Sequence, residues 1–368
     1  MFFTKKNDKP TKPGSVRETT QQALAHYYSV PEDTAGTWLH AGDNVVTVTL
    51  PFCAMSQFDA LQEYLQQALA DAGCREIEVV IKTAIPSAQT THPPVNNIKN
   101  IIAIASGKGG VGKSTTAVNL AYALLQEGAM VGILDADIYG PSIPIMLGNP
   151  QARPASSDEK HMQPPQAWGL VANSIGYLVP AEDAAVWRGP MASRALKQIL
   201  DETLWPVLDY LIVDMPPGTG DIQLTMAQQV PLSGTVIVTT PQDLALADAQ
   251  KGISMFNKVN VPVLGLIENM SYYQCSQCGN KDPIFAEHGG EALAERHHLP
   301  LLGQLPLNTR IREHGDAGTP LVVTQPDSEL AATYRDIARA VSMHLALSVP
   351  AAKAEGHIKG DPIGFKSV

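Results

Sequence analysis

SGKGGVGKSTTAVNL, residues 106–120, decides the fold of this chain. Within it, Gly107-Lys108-Gly109-Gly110-Val111-Gly112-Lys113-Ser114 matches G-x-x-x-x-G-K-[ST], a loop whose backbone N–H groups converge on phosphate oxygens. The context suits it. The apolar run NIIAIAS (100–106) reads as a strand before the loop, and TTAVNLAYALLQEG (115–128) reads as a helix after it. The helix N-terminus adds positive potential where the phosphates would lie. Lys113 is expected to pair with the β- and γ-phosphates of ATP, and the Ser114 hydroxyl to coordinate Mg²⁺, with Thr115 completing the phosphate-binding set. The bland alternative is a glycine-rich turn between a strand and a helix.

Such a site needs carboxylates at neighbouring strand ends. DYLIVDMPPGTGD (209–221) reads as a strand closing on Asp214, where a carboxylate would hold the Mg²⁺ water shell. GILDADIYGPS (132–142) places Asp135 and Asp137 at another strand end, and Asp137 is the candidate for orienting an attacking water. Helix caps or turn formers are the alternatives for these residues.

Farther out, MVGILD, LDYLIVD, GTVIVTT and VPVLGLIEN are near-continuous apolar runs that alternate with helical stretches. This texture predicts an α/β domain over 98–348, with a mostly parallel sheet and helices on both faces. Upstream, SVRETTQQALAHYY and MSQFDALQEYLQQALADAG read as helices, and NVVTVTLP and EIEVVIK as strands. They predict a small α+β domain over 15–83. Residues 84–97 carry three prolines without periodicity and read as a linker. Residues 1–14 and 349–368 read as tails.

The chain has 368 residues with 44% hydrophobic and 17% charged composition, as globular proteins have. Its formal net charge of −10 argues against a broad nucleic-acid-binding surface. No apolar run is long enough for a membrane span, and the polar start lacks the apolar segment of a secretion signal. The helical run SELAATYRDIARAVSMHLALS is neither basic nor terminal, so it is expected to dock on the sheet rather than on a membrane. Four cysteines make no disulfide framework, and a reducing, cytoplasmic location is expected.

Two of those cysteines form Cys275-Ser276-Gln277-Cys278-Gly279, a CxxC whose sulfurs reach one metal or one cluster. A [4Fe–4S] cluster or a tetrahedral zinc wants four protein ligands. Cys53 and Cys74 form no second CxxC and read as packed thiols. A two-fold homodimer in which each chain donates Cys275 and Cys278 is the simplest way to four thiolates. Half a zinc site completed by His288 or by a dimer, a redox dithiol, and a plain structural turn are the alternatives. His297 and His298 lack ligand spacing to the pair, and Arg188, in a Gly-Pro turn, is divided between a nucleotide or dimer contact and an ion-paired surface residue.

KGGVGKST resembles the deviant phosphate loop of the ATPases that include nitrogenase iron protein and the MinD and ParA proteins. The resemblance implies that Lys108 reaches across a dimer to the partner's nucleotide. A cation delivered in trans would stabilise the charge that spreads over a transferring γ-phosphoryl group. LDADIYGPSIPIMLG, WRGPMASRAL, VDMPPGTGDIQLT, TTPQDLALADAQKG and IENMSYYQCSQCG together resemble the Mrp (ApbC) iron–sulfur carrier family over about residues 100–310. That resemblance implies an ATP-hydrolysing carrier that binds a cluster between two chains and passes it to apo-proteins. It also implies that Asn269 contacts the adenine base, against the alternative of a loop-capping residue. The 15–83 unit resembles the small domain fused to bacterial members. The rival reading is a positioning switch of the MinD/ParA type, and a third is electron delivery as by nitrogenase iron protein.

Overall fold

The computed structural model describes residues 15–42, 44–179, 189–275, 277–348 and 350. The tails expected at 1–14 and, apart from Pro350, at 349–368 lie outside the described residues, as does Arg188.

In the N-terminal region, helices α1 (Val16–Tyr28), α2 (Glu32–Thr37) and α3 (Phe58–Asp71) pack with strands β1 (Leu39–Ala41), β2 (Val45–Leu50) and β3 (Glu78–Thr83). Ser15 starts α1 with a reciprocal cap: its hydroxyl accepts from the Glu18 N–H, and the Glu18 carboxylate accepts from the Ser15 N–H, each at 3.2 Å. Leu61, Leu65 and Leu69 recur every fourth residue on α3 and are buried together. Val46, Val48 and Leu50 alternate inward along β2. Strand β2 pairs antiparallel with β1 and parallel with β3. Trp38 meets Tyr28 and Phe52 edge-on to complete this core.

The larger domain begins with β4 (Ile98–Ala105), α4 (Lys113–Gln126), β5 (Val131–Asp135), α5 (Ile143–Met146), β6 (Gln166–Ala167) and β7 (Leu170–Ser174). It continues through α6 (Gly189–Glu202), β8 (Leu208–Asp214), α7 (Asp221–Gln229), β9 (Gly234–Thr239), α8 (Asp243–Lys258) and β10 (Val263–Glu268). A hairpin of β11 (Tyr273–Gln274) and β12 (Lys281–Asp282) precedes α9 (Gly289–His297), β13 (Leu301–Gln304), α10 (Thr309–Ala317), α11 (Leu321–Thr324) and α12 (Glu329–Ser348).

Eight strands form one sheet in the order β13-β10-β9-β4-β8-β5-β7-β6. Every pairing is parallel except that of the edge strand β6 with β7. Strand β4 explains the two-layered core. Ile102 and Ile104 enter the cluster containing α4 and α12, while Ile101, Ala103 and Ala105 enter the opposite cluster with α6, α7, α8 and α9. The apolar runs read as strands are β4, β5, β8, β9 and β10; β6, β7 and β13 join them. Strand β7 (LVANS) runs into polar Asn173 and Ser174, which break its apolar run, and β13 has only four residues.

Helix α12 packs on two bodies at once. Tyr334, Ile337, Ala338, Val341 and Leu345 join the sheet core, while Met343 and Ala346 pack against the small domain's core. Glu127, at the end of α4, is fully buried and ties the two domains. Its carboxylate accepts from the Ser56 N–H at 3.0 Å, from Ser56 Oγ at 2.6 Å and from Arg339 Nη1 at 2.7 Å. The stretch read as a linker is pinned as well: the Ala88 N–H donates to Asn100 Oδ1 and Asn100 Nδ2 to the Pro86 carbonyl, both at 2.9 Å. Among the described residues no helix is long and apolar enough to cross a membrane.

Candidate nucleotide and cluster site

The order β9-β4-β8-β5 lines up the C-terminal ends of the central strands. The phosphate loop leaves β4, Asp214 ends β8 and Asp135 ends β5, with Asp135 and Asp214 directly opposite in the β5–β8 register. Three distant segments thus meet at the C-terminal end of the sheet, where ligands of open α/β sheets bind.

The loop's glycines are required by space as well as by conformation. Gly112, at φ +82°, caps α4; a Cβ there would lie 2.1 Å from Asn269 Nδ2. A Cβ on Gly107 would lie 2.2 Å from the backbone carbon of Asp248 in α8. The Gly109 and Gly110 positions face open space, which leaves that side of the loop to a ligand.

Lys113 is buried, and its ammonium donates to Asp214 Oδ1 at 2.5 Å and to Ser114 Oγ at 3.3 Å. Asp214 is fully buried, yet its Oδ2 has no hydrogen-bond partner among the described residues; Asp137 Oδ1 is likewise buried and unpartnered. Two unpaired carboxylate oxygens beside a phosphate loop fit a hydrated Mg²⁺, which supplies water protons to such acceptors. Burial raises the Asp137 carboxyl above the ordinary range, and Lys113 opposes that shift. Asp135 has a different task. Its carboxylate accepts from the N–H groups of Asp137 at 3.1 Å and Ile143 at 3.2 Å and from Ser174 Oγ at 3.0 Å, so it shapes the turn that presents Asp137. Burial, and next the charge of Asp214, raise its pKa.

Lys108, next in the chain to the Gly107 that abuts α8, is half-buried and makes no ion pair among the described residues. Ser106 closes the loop's base by donating to the Lys108 carbonyl at 2.9 Å, and its own carbonyl accepts from the Gly218 N–H at 3.0 Å. The segment after Asp214 is thereby tied to the phosphate loop. Asn269 donates from Nδ2 to the Val111 carbonyl at 2.9 Å. Its amide is committed to the loop on one side. Sequence reasoning did not foresee this bond, because nothing local in IENM signals a partner so far back in the chain.

Four residues past Asn269 the chain enters the β11–β12 hairpin, and just before it the Ser271 N–H is anchored on the Leu305 carbonyl at 3.0 Å. The two cysteines sit in its turn. The Cys275 N–H donates to the Asn280 carbonyl, and the Gly279 N–H to the Cys275 carbonyl, both at 2.9 Å. The N–H groups of Cys278 and Gln277, with the Cys278 thiol, lower the Cys275 pKa below the usual thiol range. Cys278 is exposed. Among the described residues no group of three or more His, Cys, Asp and Glu side chains could hold a metal. His288 is instead paired with Glu291 at 2.9 Å. Cys53 is buried between the domains, which pushes its thiol up to about 12; Cys74 lies at the end of α3.

A family model for the ParA group, described as NUBPL iron-transfer P-loop NTPase, matches residues 97–342. The chain is similar to an iron–sulfur cluster carrier protein of Escherichia coli K12, 54% identical over 330 residues, which cover 89% of this chain and 87% of that protein. It is also similar to the iron–sulfur cluster transfer protein NUBPL of Dictyostelium discoideum, 48% identical over 258 residues, covering 70% and 80%. Among solved structures, a nucleotide-binding protein of Archaeoglobus fulgidus in complex with ADP, in which cobalt was found, superposes with a TM-score of 0.57 at 34% identity, covering 65% of this chain and 93% of that one. The cell-division ATPase MinD of Pyrococcus furiosus, at a TM-score of 0.50 and 24% identity over 66% of this chain and 98% of its own, shares the fold.

Proposed function

The chain belongs to the ParA/NUBPL family of iron-transfer P-loop NTPases, and on that premise we propose that it is an ATP-hydrolysing carrier that holds an iron–sulfur cluster between two copies of itself and passes it to apo-proteins. One observation carries this reading. The exposed CxxC turn begins six residues past Asn269, whose side chain grips the phosphate loop at Val111. A change at the nucleotide therefore reaches the thiolates through one short, bonded segment.

Each copy offers two neighbouring thiols, Cys275 and Cys278, and the cargo wants four ligands. A two-fold pair of chains supplies them, with a [4Fe–4S] cluster on the axis. The lowered pKa of Cys275 favours the thiolate that iron binds. In the nucleotide site, the N–H groups of 107–112 and the α4 N-terminus cradle the phosphates. Lys113 exchanges Asp214 for the β- and γ-phosphates. Ser114 and the water-mediated reach of Asp214 would hold Mg²⁺, which neutralises charge between those phosphates. Asp137 orients the attacking water, aided by a carboxyl that burial holds toward basicity. Lys108 serves the partner's nucleotide. Asn269 steadies the loop through Nδ2, and its Oδ1 is the group left for the adenine amine. ATP gates transfer by binding one dimer geometry better than another.

The test is anaerobic reconstitution with iron and sulfide, followed by transfer to an apo-ferredoxin. Cys275→Ala and Cys278→Ala should lose cluster and transfer yet retain basal ATP hydrolysis. A Cys275→Ala protein that still binds and transfers a cluster at the wild-type level refutes the reading.

A further inference from the structure

One buried residue holds both roots of the loop that carries the cysteines. Glu268 ends β10, directly precedes Asn269 and is 1% exposed. A buried carboxylate must be met by hydrogen-bond donors. Glu268 finds them far along the chain: Oε2 accepts from the Gly290 N–H at 2.5 Å, and Oε1 from Gln304 Nε2 at 3.0 Å. Gly290 lies in the first turn of α9, where a helix leaves N–H groups free and favours an anion. A Cβ on Gly290 would lie 2.6 Å from Glu268 Oε2, so the contact requires glycine.

The backbone of Glu268 holds the other root. Its carbonyl accepts from Ser271 Oγ and from the Leu305 N–H, both at 2.9 Å. Between these anchors, residues 270–289 carry Cys275 and Cys278 out and back. A loop whose two ends are bonded to one residue has fewer conformations than one held at a single end. Gly289 also abuts Pro241 and Leu246, a contact that ties the exit to α8 and not to Asn269.

Resting on the ATP-gated carrier reading, we propose that Glu268 is the positioning residue that couples the nucleotide site to the cysteine loop. Asn269 bonds the phosphate loop at Val111, and its neighbour Glu268 bonds both roots of the cysteine loop. A shift of Asn269 on nucleotide exchange then moves entry and exit together and carries the thiols with them. Without the carboxylate, the exit at Gly290 no longer follows, and bending within the loop absorbs the shift. Asn269 keeps its own bonds to the Val111 and Thr239 carbonyls in that case, so nucleotide binding and coupling separate.

The experiment is iodoacetamide labelling of the full, reduced, cluster-free chain, read by peptide mass spectrometry at the Cys275–Cys278 pair. Rates are compared with Mg²⁺ and either ADP or a non-hydrolysable ATP analogue. In wild type the two rates should differ at least about fivefold. In Glu268→Ala they should agree within about twofold, while nucleotide affinity stays within about twofold of wild type. Gly290→Ala suits a helix but collides with the carboxylate, so it should act in the same way with Glu268 intact. Glu268→Gln keeps an acceptor for the Gly290 N–H and should retain most of the wild-type difference. A Glu268→Ala or Gly290→Ala chain that keeps the wild-type difference overturns the positioning role, as does a Glu268→Gln chain that loses it. So does a lost difference that comes with equally lost nucleotide affinity, since the fault then lies in the nucleotide site. Equal rates in wild type instead overturn the nucleotide gating on which the role rests.

Discussion

The Lys113 ammonium sits 2.5 Å from Asp214 Oδ1, joining two residues 101 positions apart in a pair that is almost wholly buried. The phosphate loop and the end of β8 are therefore held in working register by their own charges. Removing one partner of such a pair is costlier than the pair is worth, because the other charge stays behind without compensation.

Asp214→Asn should accordingly destabilise the protein by about 3–5 kcal/mol and lower ATP hydrolysis at least about hundredfold. Nucleotide phosphates can replace the missing carboxylate beside Lys113. The melting deficit should therefore shrink when ADP is added, beyond the stabilisation ADP confers on wild type. Thermal melts with and without ADP check this, and a deficit unchanged by ADP would contradict the exchange of partners.

Asn269→Ala removes the donor that holds the Val111 carbonyl. One hydrogen bond of about 1 kcal/mol corresponds to roughly fivefold weaker nucleotide binding. The loop contribution should be lost equally for ADP and GDP, and an additional loss for ADP alone measures the adenine contact. Unchanged affinity for both nucleotides would remove Asn269 from the site.

The cysteines should separate by reactivity. Backbone N–H groups lower the Cys275 pKa, so more of its thiol is ionised at neutral pH than in a free cysteine, and the advantage grows as pH falls below the ordinary thiol range. Burial pushes Cys53 up to about 12. Iodoacetamide near neutral pH should modify Cys275 first and leave Cys53 intact until the chain unfolds, as read by peptide mass spectrometry. Early labelling of Cys53 would show that the seam between the domains opens readily.

Arg339→Ala strands the buried Glu127 carboxylate with only Ser56 as donor among the described residues. The expected cost is about 3 kcal/mol in denaturant unfolding. Limited proteolysis should cut first within 84–97, because the latch holding the small domain against α4 and α12 has been weakened. A variant as stable and as resistant as wild type would mean that apolar packing alone fixes the small domain.

The phosphate loop, Asp214 and the CxxC were legible in the sequence because each is a local pattern whose chemistry dictates its spacing. The strands with apolar runs were legible for the same reason. What escaped was assembled at long range. Asn269 and Val111 are 158 residues apart, and Arg339 and Glu127 are 212 apart. Nothing near any of them signals a partner. Helix α12 presented an apolar stripe, but a stripe does not say that two of its residues serve a different domain's core. In LDAD the sequence singles out Asp137 over Asp135, and the bonding of the two differs: Asp135 accepts three hydrogen bonds that shape the turn, while Asp137 Oδ1 is buried with no partner among the described residues.

The most direct test is native mass spectrometry of the anaerobically reconstituted chain. One cluster of about four iron atoms on two chains is expected, with loss of both cluster and cluster-bridged dimer in Cys278→Ala. A single chain carrying a complete cluster on its own ligands would contradict it.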